Sequence, residues 1–215
     1  MKINNIKVYN YIAGWREWSF IKIETNSTIN GWAECTDTFK NLNGFCGIIE
    51  DFKFLILEED ALNIERIIWK LKSKSKSSPG SLIQRAISAV ENALWDISAK
   101  NVQKPVYELF GKKKREEMEI YWSHCGTTRV RTPKFLNKPA ITSLEDIKSF
   151  CEEINKTDFK VIKTNLAIFK NGPQIYMPGH VFTFENPELK LSRSILNEIV
   201  NWIKELNTYL KKDIY

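Results

Sequence analysis

The stretch SLIQRAISAVENALWDISAKNVQKPVYELFGK, residues 81–112, decides how the rest of the chain is read. Its first twenty residues carry a helical period. Ile83, Ala86, Ile87, Val90, Leu94 and Ile97 recur at spacings of three and four and form one stripe, which Leu82, Ala89 and Ala93 widen. So broad an apolar face predicts a helix covered on several sides, with Ser81 placed to cap its N-terminus.

Upstream lies a Ser/Lys-rich linker, SKSKSSPG (73–80). Before it, two more helical stripes are formed by Phe45, Ile48, Ile49, Phe52 and Ile56, and by Ile64, Ile67, Ile68 and Leu71. Trp69, Trp95 and Trp202 fit helical stripes as well and are expected in cores. The first 35 residues instead read as a β-meander. INNIKVYNY (3–11) is one strand, WSFIKIET (18–25) alternates Phe20/Lys22/Glu24 against Ile21/Ile23, and the turn-rich NSTIN leads into GWAEC (31–35). Gly14 permits a sharp bend in the connecting IAGWREW loop.

Downstream, MEIYWSHCG (118–126) reads as a strand and SLEDIKSFCEEINK (143–156) as a helix capped by Ser143, with Ile147, Phe150 and Ile154 inward. FKVIKTN (159–165) reads as a strand. Residues 189–211 read as a helix with Ile195, Ile199, Trp202 and Leu206 on one face. Strand–helix–strand–helix is the order of a parallel α/β unit, yet a full β/α barrel needs about 250 residues. The chain has 215, offers two such strands, and reaches KKDIY where a third should begin. The 158–164 strand shows no proline or bulge that would close the sheet edge.

Composition narrows the function classes. With 43% apolar and 12% aromatic residues the chain can bury a sizeable core. No run of about 18 apolar residues suggests a membrane span, and MKINNIKVYNYI lacks the apolar block of a signal peptide. The net charge of +6 raises a nucleic-acid reading, but 26 acidic residues are spread among the lysines of KLKSKSKSS and GKKKRE, and no nucleic-acid motif accompanies them. Cys35, Cys46, Cys125 and Cys151 have no metal-ligand spacing and read as reduced thiols of a cytoplasmic protein.

Residues 86–112, with Ala-Leu-Trp-Asp followed by a proline-containing loop, resemble the end of the N-terminal capping domain in the mandelate racemase/muconate lactonizing enzyme branch of the enolase superfamily. Lys104 and Lys112 stand where that pattern has glycines. SFIKIETNSTINGWAEC is similar to the second and third capping strands, YWSHCGTTR to the end of the first barrel strand, and FKVIKTN to the second. The resemblance implies an α+β capping domain over residues 1–117 and the start of a TIM barrel, about two βα units, over 118–215, with the rest of the barrel missing. It implies Mg2+, which stabilises an enediolate after a base removes the proton α to a carboxylate. The metal-ligating strands are absent from this chain, so no metal ligand is assigned.

The same resemblance places Lys163 at the first lysine of a Lys-x-Lys pair, against the substrate carboxylate. The second position is Asn165, an amide that can orient a substrate but cannot accept its proton. That disfavours two-base racemisation through this strand. It is more compatible with a sugar-acid dehydratase, or with a cycloisomerase, whose base lies on another strand. Trp15, Arg16 and Trp18 occupy the loop that in the family closes over the site. Each Trp is either an apolar shield or a plain anchor, and Arg16 either pairs a carboxylate or is solvated. The second specificity loop falls at Thr36–Cys46, with no residue singled out. Ser123 and His124 sit at the rim of the first barrel strand, where His124 contacts substrate or serves only as a structural hydrogen-bond donor. His180 is expected to face solvent, and Glu34 and Asp96 to be structural. The expected partners are a small sugar-acid carboxylate and either a complementing barrel chain or further copies of this one, with no nucleic acid and no membrane. The alternative is a stand-alone, non-catalytic binding or regulatory module that keeps the cap.

Overall fold

The computed structural model describes residues 1–14, 16–35, 42–77, 80–176 and 191–215, and these divide into units Met1–Glu116 and Glu117–Tyr215. In the first unit, β1 (Ile3–Ala13), β2 (Arg16–Thr25) and β3 (Gly31–Glu34) form the antiparallel meander read from the sequence. Register sets Ile6 opposite Ile23, Ile21 opposite Ala33 and Ile23 opposite Gly31, and this face is buried. The other face carries Lys7, Tyr9, Tyr11, Trp18, Phe20, Lys22, Glu24 and Trp32, as period-two alternation requires. There Glu24 accepts from Lys7 and Lys22, each at 3.0 Å.

The helices α1 (Leu42–Ile56), α2 (Ile64–Lys74), α3 (Ser81–Asn101) and the short α4 (Val106–Phe110) follow. The stripes hold: Phe45, Ile49, Phe52 and Ile56 of α1, and Ile64, Ile67, Ile68 and Leu71 of α2, are buried. In α3, Ala86, Ile87, Ala89, Val90, Ala93, Leu94 and Ile97 are buried in the same core. Two expectations need correcting. Ser81 is the first helical residue, and Gly80 holds the cap position without a side-chain bond. Trp69 is 71% exposed, because it lies one residue, about 100° of helix, beyond the buried stripe that ends at Ile68 and resumes at Leu71.

β3 and α3 approach each other closely at Gly31. A Cβ on Gly31 would stand 2.0 Å from the Ala93 carbonyl oxygen and 2.7 Å from Ile97 Cγ1. Asp96 Oδ2 accepts the Trp32 N–H at 2.9 Å, and Lys100 Nζ donates to the Asn30 carbonyl at 3.0 Å and to Asp96. The structural reading of Asp96 thus has a definite form: it ties α3 to the start of β3.

In the second unit come β4 (Trp122–Ser123), α5 (Thr127–Arg131), a 3-10 turn (Pro133–Phe135), α6 (Asp146–Ile154), β5 (Ile162–Lys163), a β6–β7 hairpin (Ala167–Ile168 and Gln174–Ile175) and α7 (Arg193–Tyr209). β4 and β5 pair in parallel, Trp122 beside Ile162 and Ser123 beside Lys163. Both strands are shorter than their sequence patterns. Pairing begins only where the Trp122 N–H meets the Val161 carbonyl, and Met118, Ile120 and Tyr121 before it are exposed. Ile147, Phe150, Cys151 and Ile154 of α6 share a core with Trp202 and Leu206 of α7. Ser143 does not cap α6. The Asp146 carboxylate instead accepts from Thr142 N at 2.8 Å and Ser143 N at 3.1 Å, ahead of a helix whose cap position is Glu145. The hairpin and α5 had no counterpart in the sequence reading.

The outer edge of β5 is not bare, contrary to expectation. The Tyr215 N–H donates to the Lys160 carbonyl at 2.8 Å, and the Ile162 N–H donates to the Tyr215 carbonyl at 2.7 Å. Those two bonds are the pattern of a parallel bridge between Tyr215 and Val161. Three segments therefore run side by side in one direction, in the order β4, β5, Tyr215. All four cysteines are free, and burial pushes the Cys35, Cys125 and Cys151 thiols up to about 12. Among the described residues, no helix is long and apolar enough to cross a membrane.

Two measurements test this packing. Gly31→Ala forces a methyl group into a backbone carbonyl and should cost about 3 kcal/mol or more, the upper end for overpacking, read as a lower urea midpoint; an unchanged midpoint would refute the close approach. Acid titration tests the paired carboxylates. Hydrogen bonds from Lys7 and Lys22 hold Glu24 at about 2, Arg129 holds Glu153 low, and the Thr142 N–H holds Asp146 low. A depressed folded-state value stabilises above the unfolded carboxylate range, so stability should fall as the pH drops from about 4.5 toward about 2. Thermal melts at low salt that stay flat across that window would contradict it.

Candidate functional site

Four of the candidate residues, Ser123, His124, Lys163 and Asn165, lie at or just beyond the C-terminal ends of β4 and β5. Ser123 closes β4, and its Oγ lies 2.9 Å from His124 Nδ1. His124 has φ +55°, uncommon for a residue with a Cβ, and its carbonyl accepts the Thr127 N–H at 3.0 Å. Gly126 follows at φ +75°, where a Cβ would sit 3.0 Å from the Phe150 ring. This tight loop turns the chain from β4 straight into α5.

Lys163 ends β5 beside Ser123 and is exposed, with no ion pair among the described residues. Asn165, two residues on, is half-buried and engaged: its Oδ1 accepts from Thr127 Oγ1 at 3.1 Å, and its backbone N–H donates to the same Oγ1 at 3.4 Å. Thr164 Oγ1 donates to the Cys125 carbonyl at 2.8 Å, a second tie between β5 and the loop after β4. Sequence reasoning missed Thr127. The signal was present in Gly-Thr-Thr directly after a strand, which marks a strand-to-helix junction with a hydroxyl at its start.

Below the rim, Arg129 is 7% exposed and bonds Glu153 at 2.7 Å, with its guanidinium carbon 5.0 Å from the Phe150 ring centre. Lys138 reaches Glu153 as well, at 3.1 Å. This buried cation is thereby committed to structure.

The remaining candidates belong to the first unit. Trp18 is half-buried and stacked on Phe20, ring centres 6.5 Å apart and 8° from parallel. Arg16 opens β2, and its side chain lies outside the described set, as do Trp15, Thr36–Asn41 and His180. Glu34 is exposed and lines an open hollow of about 470 Å³ with Ser81, Gln84, Arg85, Ser88 and Asn92.

Residues 13–111 match the family model of the mandelate racemase/muconate lactonizing enzyme N-terminal domain. The chain carries that domain of the enolase superfamily. The relatives extend the likeness past it. D-Galactonate dehydratase of Variovorax paradoxus is 30% identical over 125 residues, 56% of this chain and 31% of that enzyme. A crystal structure from Burkholderia xenovorans, described as a candidate L-alanine-DL-glutamate epimerase with magnesium and fumarate bound, is 30% identical. It superposes on 99% of this chain and 53% of its own, at a TM-score of 0.92. An Agrobacterium radiobacter enolase described as a candidate galactarate dehydratase, holding sodium and L-malate, is 20% identical and shares the fold over 100% of this chain and 47% of its own, at a TM-score of 0.70. The chain is thus an enolase-superfamily N-terminal region resembling dehydratases and epimerases, and it spans about half the length of these structures and less than a third of the curated dehydratase in alignment. Both solved relatives hold small carboxylates.

Among the described residues, the Burkholderia relative's magnesium has no counterpart ligand set. Among the described residues, no group of three His, Cys, Asp or Glu side chains could hold a metal ion, so the residues present do not fit one. Calorimetric titration of the chain with magnesium chloride should therefore give only weak, unsaturating heats. Stoichiometric binding would locate ligands outside the described residues.

Proposed function

We propose that this chain forms the capping domain, residues 1–117, and the opening βα units of a TIM barrel, residues 118–215, of a cytoplasmic sugar-acid dehydratase. The observation that carries this reading is the end of β5. There the Lys163 ammonium, without an ion pair among the described residues, stands two positions before an amide that cannot take a proton. A lysine of that kind meets a substrate carboxylate. The parallel order β4, β5, Tyr215 supports a barrel begun on this chain, since barrel chemistry collects at the C-terminal ends of such strands. The similarity to a D-galactonate dehydratase supports a sugar acid as substrate. Ser123 and His124 contact that substrate from the neighbouring strand. The reaction begins with removal of the proton α to the carboxylate by a base that β5 does not contain, and ends in loss of water.

An epimerase is the second reading, favoured by the whole-chain match to the Burkholderia structure. Asn165 weighs against it, because two-base exchange needs a proton acceptor on each face of the substrate.

The test joins the chain in frame to the second half of the Burkholderia relative's barrel and assays dehydration of D-galactonate and other sugar acids with magnesium present. Lys163→Met should lower the rate on the order of 100-fold, as removal of a preorganised charge does. Asn165→Ala should keep most of the turnover and the same basic limb of the pH profile. Equal loss in both variants, or racemisation without dehydration, would overturn the dehydratase reading.

A further inference from the structure

We propose that Thr127 is a positioning residue: its hydroxyl fixes the Asn165 amide with the carbonyl oxygen turned inward, so that the two Nδ2 protons and the Lys163 ammonium make the end of β5 a donor-only carboxylate site. The inference rests on the carboxylate-binding reading of Lys163 given above.

The orientation follows from counting protons. A threonine hydroxyl has one proton to give and two lone pairs to receive. Thr127 is only 6% exposed, so solvent does not readily satisfy it. One lone pair receives the Asn165 backbone N–H at 3.4 Å. Among the described residues, the acceptor for the hydroxyl proton is Asn165 Oδ1 at 3.1 Å. A flipped amide would aim its own N–H groups at this oxygen and leave the buried hydroxyl proton without an acceptor, a costly arrangement. The hydroxyl therefore selects one of the two amide orientations, which side-chain shape alone does not distinguish.

The lock is anchored from both sides. The Thr127 N–H donates to the His124 carbonyl, and Thr164 Oγ1 donates to the Cys125 carbonyl, so the loop after β4 and the end of β5 hold each other. Asn165 Nδ2 has no protein acceptor among the described residues. With its oxygen engaged, Asn165 offers only protons, as does Lys163. Such an end favours an anionic oxygen pair and disfavours a neutral acid or a ligand that donates. Asn165 is thus a binding donor where a lysine would have been a base, and Thr127 is the reason it donates.

The test uses the full chain labelled with 15N, with the Asn165 side-chain amide pair identified by its loss in Asn165→Ala. Thr127→Val, nearly the same shape, should shift and broaden that pair, and Thr127→Ser should restore it. Fumarate, added as the probe, should move the pair in the wild type and in Thr127→Ser, and bind about tenfold more weakly to Thr127→Val, the loss of roughly one hydrogen bond. Asn165→Asp keeps the acceptor for Thr127 but removes both donors, and should fold like the wild type and lose fumarate binding; it carries the test should Thr127→Val fail to fold. An Asn165 pair indifferent to Thr127→Val, or fumarate binding that Asn165→Asp retains, would overturn the proposal. Should the pair follow the hydroxyl while the wild type ignores fumarate, the carboxylate role falls for Asn165 and Lys163 alike, and the failure lies with the functional reading, not with the lock.

Discussion

The first unit depends on one close approach, that of the α3 backbone to Gly31. No residue with a Cβ fits there without displacing the Ala93 carbonyl. Because the helix comes so near, Asp96 can reach the Trp32 N–H and Lys100 the Asn30 carbonyl, bonds that fix where β3 begins. β3 in turn sets the register of β2, whose Ile21 and Ile23 lie fully buried between the sheet and the helices. The alanines of α3 are small for the same reason: Ala86, Ala89 and Ala93 are buried where a larger side chain would hold the helix off its neighbours.

The second unit is organised around its parallel strands. Only two residues of each strand pair, so the sheet itself contributes little, and the core of α6 and α7 carries the packing. Fully burying side chains such as Ile147, Ile154 and Trp202 contributes roughly 1.5–3 kcal/mol each for the aliphatic ones, against about 1 kcal/mol for a net hydrogen bond. The buried Arg129 is tolerated because Glu153 and the Phe150 face together replace its water.

These two kinds of support leave the ends of β4 and β5 chemically uneven. Arg129 is consumed by Glu153 and the Cys125 thiol is kept protonated by burial, so neither is available to a ligand. What remains toward the rim is Ser123, His124, Lys163 and the N–H side of Asn165. Within that set the Asn165 amide has no site that takes up a proton near neutral pH.

Periodicity by itself determined the meander, the three long helices of the cap and the α6 and α7 stripes, because burial of one face leaves its mark every second or every third-and-fourth residue. The family followed from residues 86–112. Tertiary structure alone decided the rest. Trp69 is apolar and helical yet exposed, since about 100° around the helix separates it from the buried Ile68. The outer edge of β5 looked open because the residue that covers it, Tyr215, lies some fifty positions away in sequence and bonds through its backbone, which side-chain patterns do not report. The role of Thr127 was hidden for the same reason. Its partner is 38 residues distant, and only the folded loop brings one hydroxyl proton to one amide oxygen.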